Sequence, residues 1–354
     1  MKKRTYLKNT LAAVALSAAS LGASAQIAGH NVLLVHGFQF GDLSSKPSDA
    51  EVYNRDLISD FWLQRSEGKL NWSSAERVEG RISEQIFEQA KAISAQGTCA
   101  NGCVIVLHST GDQVMRHFLA NQESWLSSAG YEPLDIVATI DFGGAGGGTD
   151  FADLAVGIVA NQSVPQWIKS TIGFFLGLDL SASDMSDLGV VQDLTYSGAR
   201  SISMQPNDIP RLRFSGSGGN TNPLKVLISG YSDGVVPASS SCGSSSPAGI
   251  SSCSSSVGYS GQIASRNGPS GLLFNHFPVL MSKHYDHGGL KDDNARGKVT
   301  YVFNDFNAGL NVDFDTYTQS VPWWQFWRDT GRFQFVSQSD NKSMSRLVHE
   351  TFDN

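Results

Sequence analysis

A serine at a sharp strand-to-helix turn is the first residue of this sequence with the surroundings of a nucleophile. Val104–Leu107 is a short, mostly β-branched apolar run, typical of a strand buried on both faces. From Gly111 onward, apolar residues recur at helical spacing, so Ser109 lies between a buried strand and a helix. At such a turn the hydroxyl is exposed, and the N–H groups after it lie at a helix N-terminus, where negative charge is favoured. These surroundings suit a serine that attacks a carbonyl group and leaves an oxyanion held by N–H donors.

An aspartate and a histidine suited to activating this serine follow it in the chain. Asp233 and His287 each come just after a predicted strand, where the catalytic groups of α/β sheets gather. A serine needs a base with the pKa of an imidazole, and the imidazole needs a carboxylate that holds its tautomer. The order Ser109, Asp233, His287 is that of the α/β-hydrolases. Asp141 remains a second choice for the acid, and His284 remains a second choice for the base.

Buried strands alternate with helices along the chain, which predicts the elements that must position these residues. The predicted strands cover residues 31–35, 104–107, 136–140, 224–231 and 277–281, and a helix is predicted around residues 52–63. This alternation predicts an α/β fold with a mostly parallel, doubly wound sheet. The glycine-rich run 143–148 is predicted to be a flexible hinge. Residues 149–222 begin with apolar residues at helical spacing, and we expect them to form a helical, lid-like insertion over the active site. For most of these residues we favour helices packed on the sheet, and an apolar lid that opens on lipid is the alternative for part of them.

Short motifs in this chain resemble those of bacterial true lipases. His36-Gly37-Phe38 resembles their His-Gly-apolar oxyanion turn, and residues 108–111 (His-Ser-Thr-Gly) resemble their G-H-S-x-G elbow. The stretch 148–153 resembles the G-S-x-x-A-D that follows their next strand, and the stretch 232–237 resembles their acid-bearing D-G-[LV]-V. The likeness is confined to these short motifs, which occur in the same order as in the family.

The resemblance implies an α/β-hydrolase domain over residues 26–354 and a serine esterase activity on carboxylic, fatty-acyl esters. It also implies that the oxyanion donors are the backbone N–H groups of Phe38 and Thr110. Two alternatives remain open. One is a catalytically inactive hydrolase fold that binds a lipid or a partner. The other is a related enzyme, a thioesterase or a polyester depolymerase.

The sequence departs from the family pattern in three places. Leu107 replaces the first Gly of G-x-S-x-G, so the tight turn must be accommodated elsewhere, and Asp112 replaces a frequent Gly. Residues 287–290 resemble the H-x-G-L of small bacterial lipases. Residues 284–286 instead resemble the H-L-D of calcium-dependent lipases, whose calcium ligand lies two residues after the base. We predict His287 as the base and neither a metal nor another cofactor, with calcium as the weaker alternative.

The first 25 residues have the pattern of an export signal. Four cationic residues precede the apolar run 11–21, and Ala23-Ser-Ala25 is a cleavage site of the A-x-A type. We therefore expect a secreted or periplasmic protein whose signal is removed after Ala25. No later stretch has the 18 or so consecutive apolar residues of a membrane-spanning helix, so we expect no integral membrane segment.

Charge and cysteine content narrow the partners and the compartment further. The net charge is −7, and it becomes −11 if the four cationic residues of the signal are removed. An acidic chain argues against nucleic acid as a partner. The resemblance to bacterial lipases implies a lipid or another ester as the ligand. Four cysteines allow three pairings, and proximity favours the disulfides Cys99–Cys103 and Cys242–Cys253. The sequence leaves the oligomeric state open.

Overall fold

The fold is built on a single mixed sheet, seen in a computed structural model that describes residues 26–202, 208–219, 223–244, 247, 276–302, 314–325 and 332–352. The strands in these residues are β1 (Gln26–Ile27), β2 (His30–Val35), β3 (Gly68–Lys69), β4 (Cys103–His108), β5 (Ile136–Phe142), β6 (Arg211–Gly216), β7 (His276–Ser282), β8 (Thr300–Val302), β9 (Thr316–Ser320) and β10 (Arg332–Val336). Their spatial order is β1-β2-β4-β5-β6-β7-β8-β10-β9, and β3 pairs with β2. The pairs from β3 through β2, β4, β5 and β6 to β7 are parallel. The sheet is therefore mostly parallel, as predicted, with antiparallel strands at both ends.

Helices connect these strands. The α-helices are α1 (Asp42–Ser45), α2 (Asp49–Tyr53), α3 (Asp60–Leu63), α4 (Ser83–Ala95), α5 (Gly111–Ser128), α6 (Asp150–Val159), α7 (Gln166–Leu176), α8 (Tyr196–Ser201), α9 (Ala238–Ser241) and α10 (Met344–Phe352). A π-helical turn, Val78–Ile82, precedes α4. The 3₁₀ turns are Met185–Val191, Pro223–Leu227, Trp323–Gln325 and Ser339–Asn341.

The centre of the sheet is buried on both faces, and strand β4 shows why. All six of its residues are buried. Ile105 and Leu107 point into one apolar core, which is shared with α4, α5 and α6. Val104 and Val106 point into a second core, which is shared with α3 and α10. A continuous apolar run is thus the pattern that a strand covered by helices on both sides requires, and these two helical layers give the α/β fold that the sequence predicts.

The predicted helix over residues 52–63 is wrong, because the chain forms two short helices there. Helix α2 ends at Tyr53 and α3 begins at Asp60. Between them, the carbonyl of Arg55 accepts hydrogen bonds from the side chains of Lys69 (3.1 Å) and Asn71 (2.9 Å). The Arg55 carbonyl therefore accepts from side chains of β3 and the loop after it, and not from the backbone N–H group that would continue a helix.

The strand predicted over residues 224–231 is also wrong. Residues 223–227 form a 3₁₀ turn, and the strand that pairs with both β5 and β7 is β6. Because β6 lies between β5 and β7, the apolar run 224–231 lies outside the sheet. The segment 149–222, expected to be a lid-like insertion, therefore contributes a sheet strand near its end. Its helical part consists of α6, α7 and α8 with the turns between them.

The disulfide predicted between Cys99 and Cys103 is confirmed, with 5.0 Å between the two Cα atoms. Cys253, the predicted partner of Cys242, lies outside the described residues, as does the export signal predicted over residues 1–25. Of the helices in the described part of the chain, none combines the length and the apolar character needed to cross a bilayer.

Candidate active site

Ser109 occupies a strained backbone turn between β4 and α5. Its φ angle is +58°, in the left-handed region that costs a non-glycine residue about 1–2 kcal/mol. Backbone hydrogen bonds maintain this turn: the Ser109 N–H donates to the carbonyl of Phe142 (3.1 Å), and the Ser109 carbonyl accepts from the N–H of Ala145 (2.9 Å). Strain of this kind, held by neighbouring contacts, is characteristic of functional sites. Ser109 is the only residue between the end of β4 and α5 whose φ is positive.

The tight turn tolerates Leu107 because the close backbone contacts occur at two other residues. A Cβ atom at Gly37 would lie 2.7 Å from the Cβ of Ser109. A Cβ atom at Gly111 would lie 2.8 Å from the carbonyl oxygen of His36. The loop after β2 and the first turn of α5 therefore pack through two glycines, while the Leu107 side chain is buried in the core behind them.

His287 and Asp233 lie in line with the Ser109 hydroxyl. The Nε2 atom of His287 is 2.8 Å from Ser109 Oγ, and its Nδ1 atom is 2.7 Å from Asp233 Oδ2. Because a carboxylate only accepts, Nδ1 carries the proton and Nε2 is left to accept from the serine hydroxyl. The other oxygen of Asp233 accepts from the N–H groups of Val235 (3.0 Å) and Val236 (2.8 Å), which fixes the carboxylate.

The second choices for acid and base lie elsewhere. His284 is exposed on the loop after β7, and its ring lies against Gly297. Asp286, the residue that the calcium-dependent pattern would use, accepts a hydrogen bond from the N–H of Gly289 (2.7 Å). Asp141 is buried and bonds to Arg213. Within the described part of the chain, no group of three His, Cys, Asp or Glu side chains is arranged to hold a metal ion.

The peptide between Gly37 and Phe38 is oriented from behind by two side chains. The carbonyl of Gly37 accepts from His36 Nδ1 (2.6 Å) and from Gln39 Nε2 (3.0 Å). In a planar trans peptide the C=O and N–H groups point in opposite directions, so these bonds direct the Phe38 N–H away from them. In the described residues neither this N–H nor that of Thr110 has an intramolecular acceptor, so both predicted oxyanion donors are free to bind a ligand.

His36 is buried and neutral. Its Nε2 atom accepts from the N–H of Trp72 (3.1 Å), so the proton is on Nδ1, where it bonds to Gly37. Burial lowers the pKa of His36 to about 4, and the nearby Arg55 charge acts in the same direction. Its ring stacks on Trp72, with the ring centroids 4.9 Å apart. The histidine of the His-Gly pair therefore has a role that the sequence pattern alone does not reveal.

We expect Gln39→Met to lower kcat for an ester substrate about tenfold and to leave KM within twofold. Methionine has a similar length but no N–H to hold the Gly37 carbonyl. The effect is smaller than the 10²–10³ that follows loss of a whole oxyanion donor, because His36 still holds the same oxygen. Steady-state kinetics on p-nitrophenyl butyrate measure it, with Gln319→Met on the exposed face of β9 as the control. Equal kcat values for the two variants would contradict this role of Gln39.

An apolar cavity of about 130 Å³ opens beside the Ser109 hydroxyl. Its polar lining includes Ser109, His287, Thr110 and His108. Its apolar lining is Phe38, Phe40, Ala145, Phe151, Leu194, Val235 and Val236. Phe38 packs edge-on against Phe40, and Phe40 contacts Phe175 of α7, so aromatic rings continue from the cavity to that helix. The space next to the hydroxyl therefore suits the hydrocarbon part of a ligand.

A buried ionic cluster lies behind the elbow, and sequence reasoning missed most of it. Asp112 of α5 lies 2.7 Å from Arg211, 3.0 Å from Arg213 and 3.7 Å from Arg116. Asp141 of β5 lies 2.7 Å from Arg213. All five side chains are buried. The available signal was the alternation Arg211-Leu-Arg213-Phe, which has the period of a strand and places both arginines on one face.

The two carboxyl groups of this cluster have shifted pKa values in opposite directions. Burial raises the pKa of Asp112, but the three guanidinium groups offset this and hold it below its usual value. Burial and the charge of Asp112 raise the pKa of Asp141 to about 6, although Arg211 and Arg213 act in the other direction. The cluster thus centres on an ionised Asp112 shared by three arginines.

The cluster also fixes the glycine-rich run 143–148, which is not the flexible hinge predicted from its composition. Arg213 donates to the carbonyl of Gly144 (3.3 Å), and Arg116 donates to that of Gly146 (3.0 Å). The N–H of Gly143 donates to the carbonyl of Phe214 (2.7 Å). The run passes close to the site, since a Cβ at Gly143 would lie 3.0 Å from Asp233 Oδ2 and 3.1 Å from the Nδ1 atom of His287.

The strand–serine–helix turn, set in this mostly parallel sheet, has the geometry of the nucleophile elbow found in α/β-hydrolases. No protein-family model and no curated protein matches the sequence. Among solved structures, the chain is similar to Staphylococcus hyicus lipase, with 13% identity, a TM-score of 0.42, and coverage of 74% of this chain and 88% of that one.

Two other solved structures are similar in fold. Lipase 1 from Pelosinus fermentans is 15% identical, with a TM-score of 0.39 and coverage of 73% of this chain and 92% of that one. The mature form of Bacillus licheniformis lipase BlEst2 is 14% identical, with a TM-score of 0.38 and coverage of 60% and 78%.

Proposed function

We propose that this protein is a serine hydrolase that cleaves carboxylic esters, in particular fatty-acyl esters, through an acyl-enzyme on Ser109. The observation that carries the proposal is the chain of two short hydrogen bonds from Ser109 through His287 to Asp233. A serine hydroxyl bonded to a histidine, which a buried carboxylate orients, is the arrangement that activates a serine nucleophile. The free N–H groups of Phe38 and Thr110 supply the donors that an oxyanion requires. The apolar cavity supplies the space that an acyl group requires.

In the proposed reaction, Ser109 Oγ bonds to the carbonyl carbon of the ester while His287 Nε2 takes the hydroxyl proton. Asp233 stabilises the imidazolium ion that forms, and the Phe38 and Thr110 N–H groups donate to the oxyanion. Collapse of this intermediate breaks the C–O bond, and His287 gives its proton to the leaving alcohol. A water molecule, deprotonated by His287, then releases the carboxylic acid from Ser109. The chain supplies every group in this scheme, so we propose no cofactor.

The lining of the cavity supports an apolar acyl group as the part of the substrate that it receives. Apolar side chains of Phe151 and Leu194 face the same space as the Ser109 hydroxyl. We also propose that the protein acts outside the cytoplasm, since its first 25 residues have the pattern of an export signal and a disulfide joins Cys99 to Cys103. A lipid or another ester is then the partner expected for this site.

The alternative of an inactive, ligand-binding hydrolase fold would require a distorted elbow. The packing of Gly37 and Gly111, which accommodates Leu107, favours catalysis over this alternative. Thioesters and polyesters offer the same carbonyl chemistry. Assays with thioester, polymer and ester substrates of increasing chain length distinguish them from a fatty-acyl ester.

We expect a fluorophosphonate probe to label the protein covalently at Ser109. The activated Oγ displaces fluoride from phosphorus, and intact-protein and peptide mass spectrometry locate the adduct. Ser109→Ala should take up no label, whereas Ser127→Ala, an exposed serine near the end of α5, should be labelled like the unmodified protein. Absence of label on the folded, unmodified protein would favour the inactive binding fold.

A further inference from the structure

His108 connects the nucleophile elbow to the loop that carries the proposed base. It directly precedes Ser109 and is almost completely buried. Its Nε2 atom is 2.9 Å from the carbonyl oxygen of His287, and the two imidazole rings lie 4.5 Å apart between centroids, tilted by 42°. On the other side of its ring, Nδ1 abuts the oxyanion turn, because a Cβ at Gly37 would lie 2.9 Å from it.

The contacts of His108 define its protonation. A carbonyl oxygen only accepts, so the proton of the neutral ring is on Nε2. Burial lowers the pKa of His108 well below its usual value, and the neighbouring His287 and Lys291 act in the same direction. His108 is thus a neutral donor that packs against the ring of His287.

His287 needs such a restraint, because it lies in a loop and is followed by the exposed Gly288. Its backbone N–H donates to the carbonyl of Asp233 (2.9 Å), and its backbone carbonyl accepts from His108. Both backbone hydrogen-bonding groups of the proposed base are therefore anchored, one by the proposed acid and the other by the residue before the nucleophile.

We propose that His108 is a positioning residue for the hydrolytic reaction: its Nε2–H holds the backbone of His287, and its ring keeps the His287 imidazole over Ser109 Oγ. This inference rests on the proposed function of Ser109 and His287. It also gives a reason for the neutrality of His108, since His287 becomes positively charged in the reaction. A second charged imidazole 4.5 Å away would oppose that change.

His108→Gln and His108→Met test the proposal as a matched pair. Both replacements have a similar length, but only the Gln side chain carries an N–H at the place of Nε2. With p-nitrophenyl butyrate, we expect His108→Met to lower kcat about 100-fold and to change KM less than twofold, because the ester still binds while the base is misplaced. His108→Gln should keep kcat within about fivefold of the unmodified protein. Its kcat/KM should rise with pH in one step, as we expect for the unmodified protein.

A second measurement does not depend on turnover. The proton between His287 Nδ1 and Asp233 should give a downfield ¹H NMR resonance that persists in His108→Gln and broadens or is lost in His108→Met, at equal melting temperatures of the two variants. Equal kcat values and equal resonances for Gln and Met would overturn the positioning role. If the unmodified protein hydrolyses no ester and takes up no fluorophosphonate, the proposed function fails, and the resonance still reports whether His108 holds His287.

Discussion

Replacing Ser109 by Ala is expected to lower kcat for p-nitrophenyl butyrate by about 10⁶-fold, the scale seen when a serine nucleophile is removed. The reason is that, in the proposed mechanism, the acyl-enzyme forms on Ser109 Oγ, which lies 2.8 Å from His287 Nε2. His287→Ala should cost about as much, and the double variant should lose no more than either single one. Residues that act as one unit lose their joint effect when any of them is removed.

The controls separate the proposed residues from their neighbours. Ser127→Ala and His284→Ala change exposed side chains and should leave kcat unchanged. The residual rate of Ser109→Ala should still exceed the rate in buffer, because the N–H groups of Phe38 and Thr110 remain. Additive losses in the double variant, or a Ser109→Ala protein with more than about 1% of the activity, would rule out this nucleophile–base unit.

Asp112→Asn is expected to lower the free energy of unfolding by about 3–5 kcal/mol, the cost of removing one partner from a buried ion pair. Asp112 lies within 3.7 Å of three buried guanidinium groups, so its neutralisation leaves Arg116, Arg211 and Arg213 with Asp141 as the one carboxylate of the cluster. Urea unfolding followed by tryptophan fluorescence measures the change.

Asp56→Asn is the matched control for this second prediction. Asp56 also pairs with a cation, Lys69, but its side chain is 64% exposed. An exposed ion pair contributes about 0–1 kcal/mol, so this variant should unfold close to the urea concentration at which the unmodified protein unfolds. If the two substitutions cost the same, the cluster behind the elbow is not a buried charge network of the kind described here.

The sequence predicts well the elements whose pattern is local. The apolar runs of β2 and β4 and the helical spacing of α5 correctly predict the turn at Ser109 and the loop after β2 that carries Phe38. The strand ends then place Ser109 and His287 at the same edge of the sheet. The distances that join Ser109, His287 and Asp233 belong to the folded chain, and their catalytic roles stay a prediction until the variants above are measured.

Strand β6 and the cluster beside it show where such reasoning fails. Arg211 and Arg213 are charged residues in a strand paired on both sides, which a pattern of apolar runs rejects. They are stable there because Asp112 and Asp141, about 100 and 70 residues earlier in the chain, face them. Local patterns contain no information about a partner this distant, so they predict the run 224–231 as a strand of the sheet in place of β6.

The positive φ of Ser109 limits which nucleophiles evolution or engineering can install at this position. A β-branched residue is a genuine outlier in the left-handed region, because its second γ atom crowds the backbone. Cysteine has one γ atom and fits the same backbone conformation, so an exchange of oxygen for sulfur is sterically open, whereas threonine chemistry is closed to this scaffold. The backbone at one residue thus selects for a side chain that is unbranched at Cβ, before any base or substrate is considered.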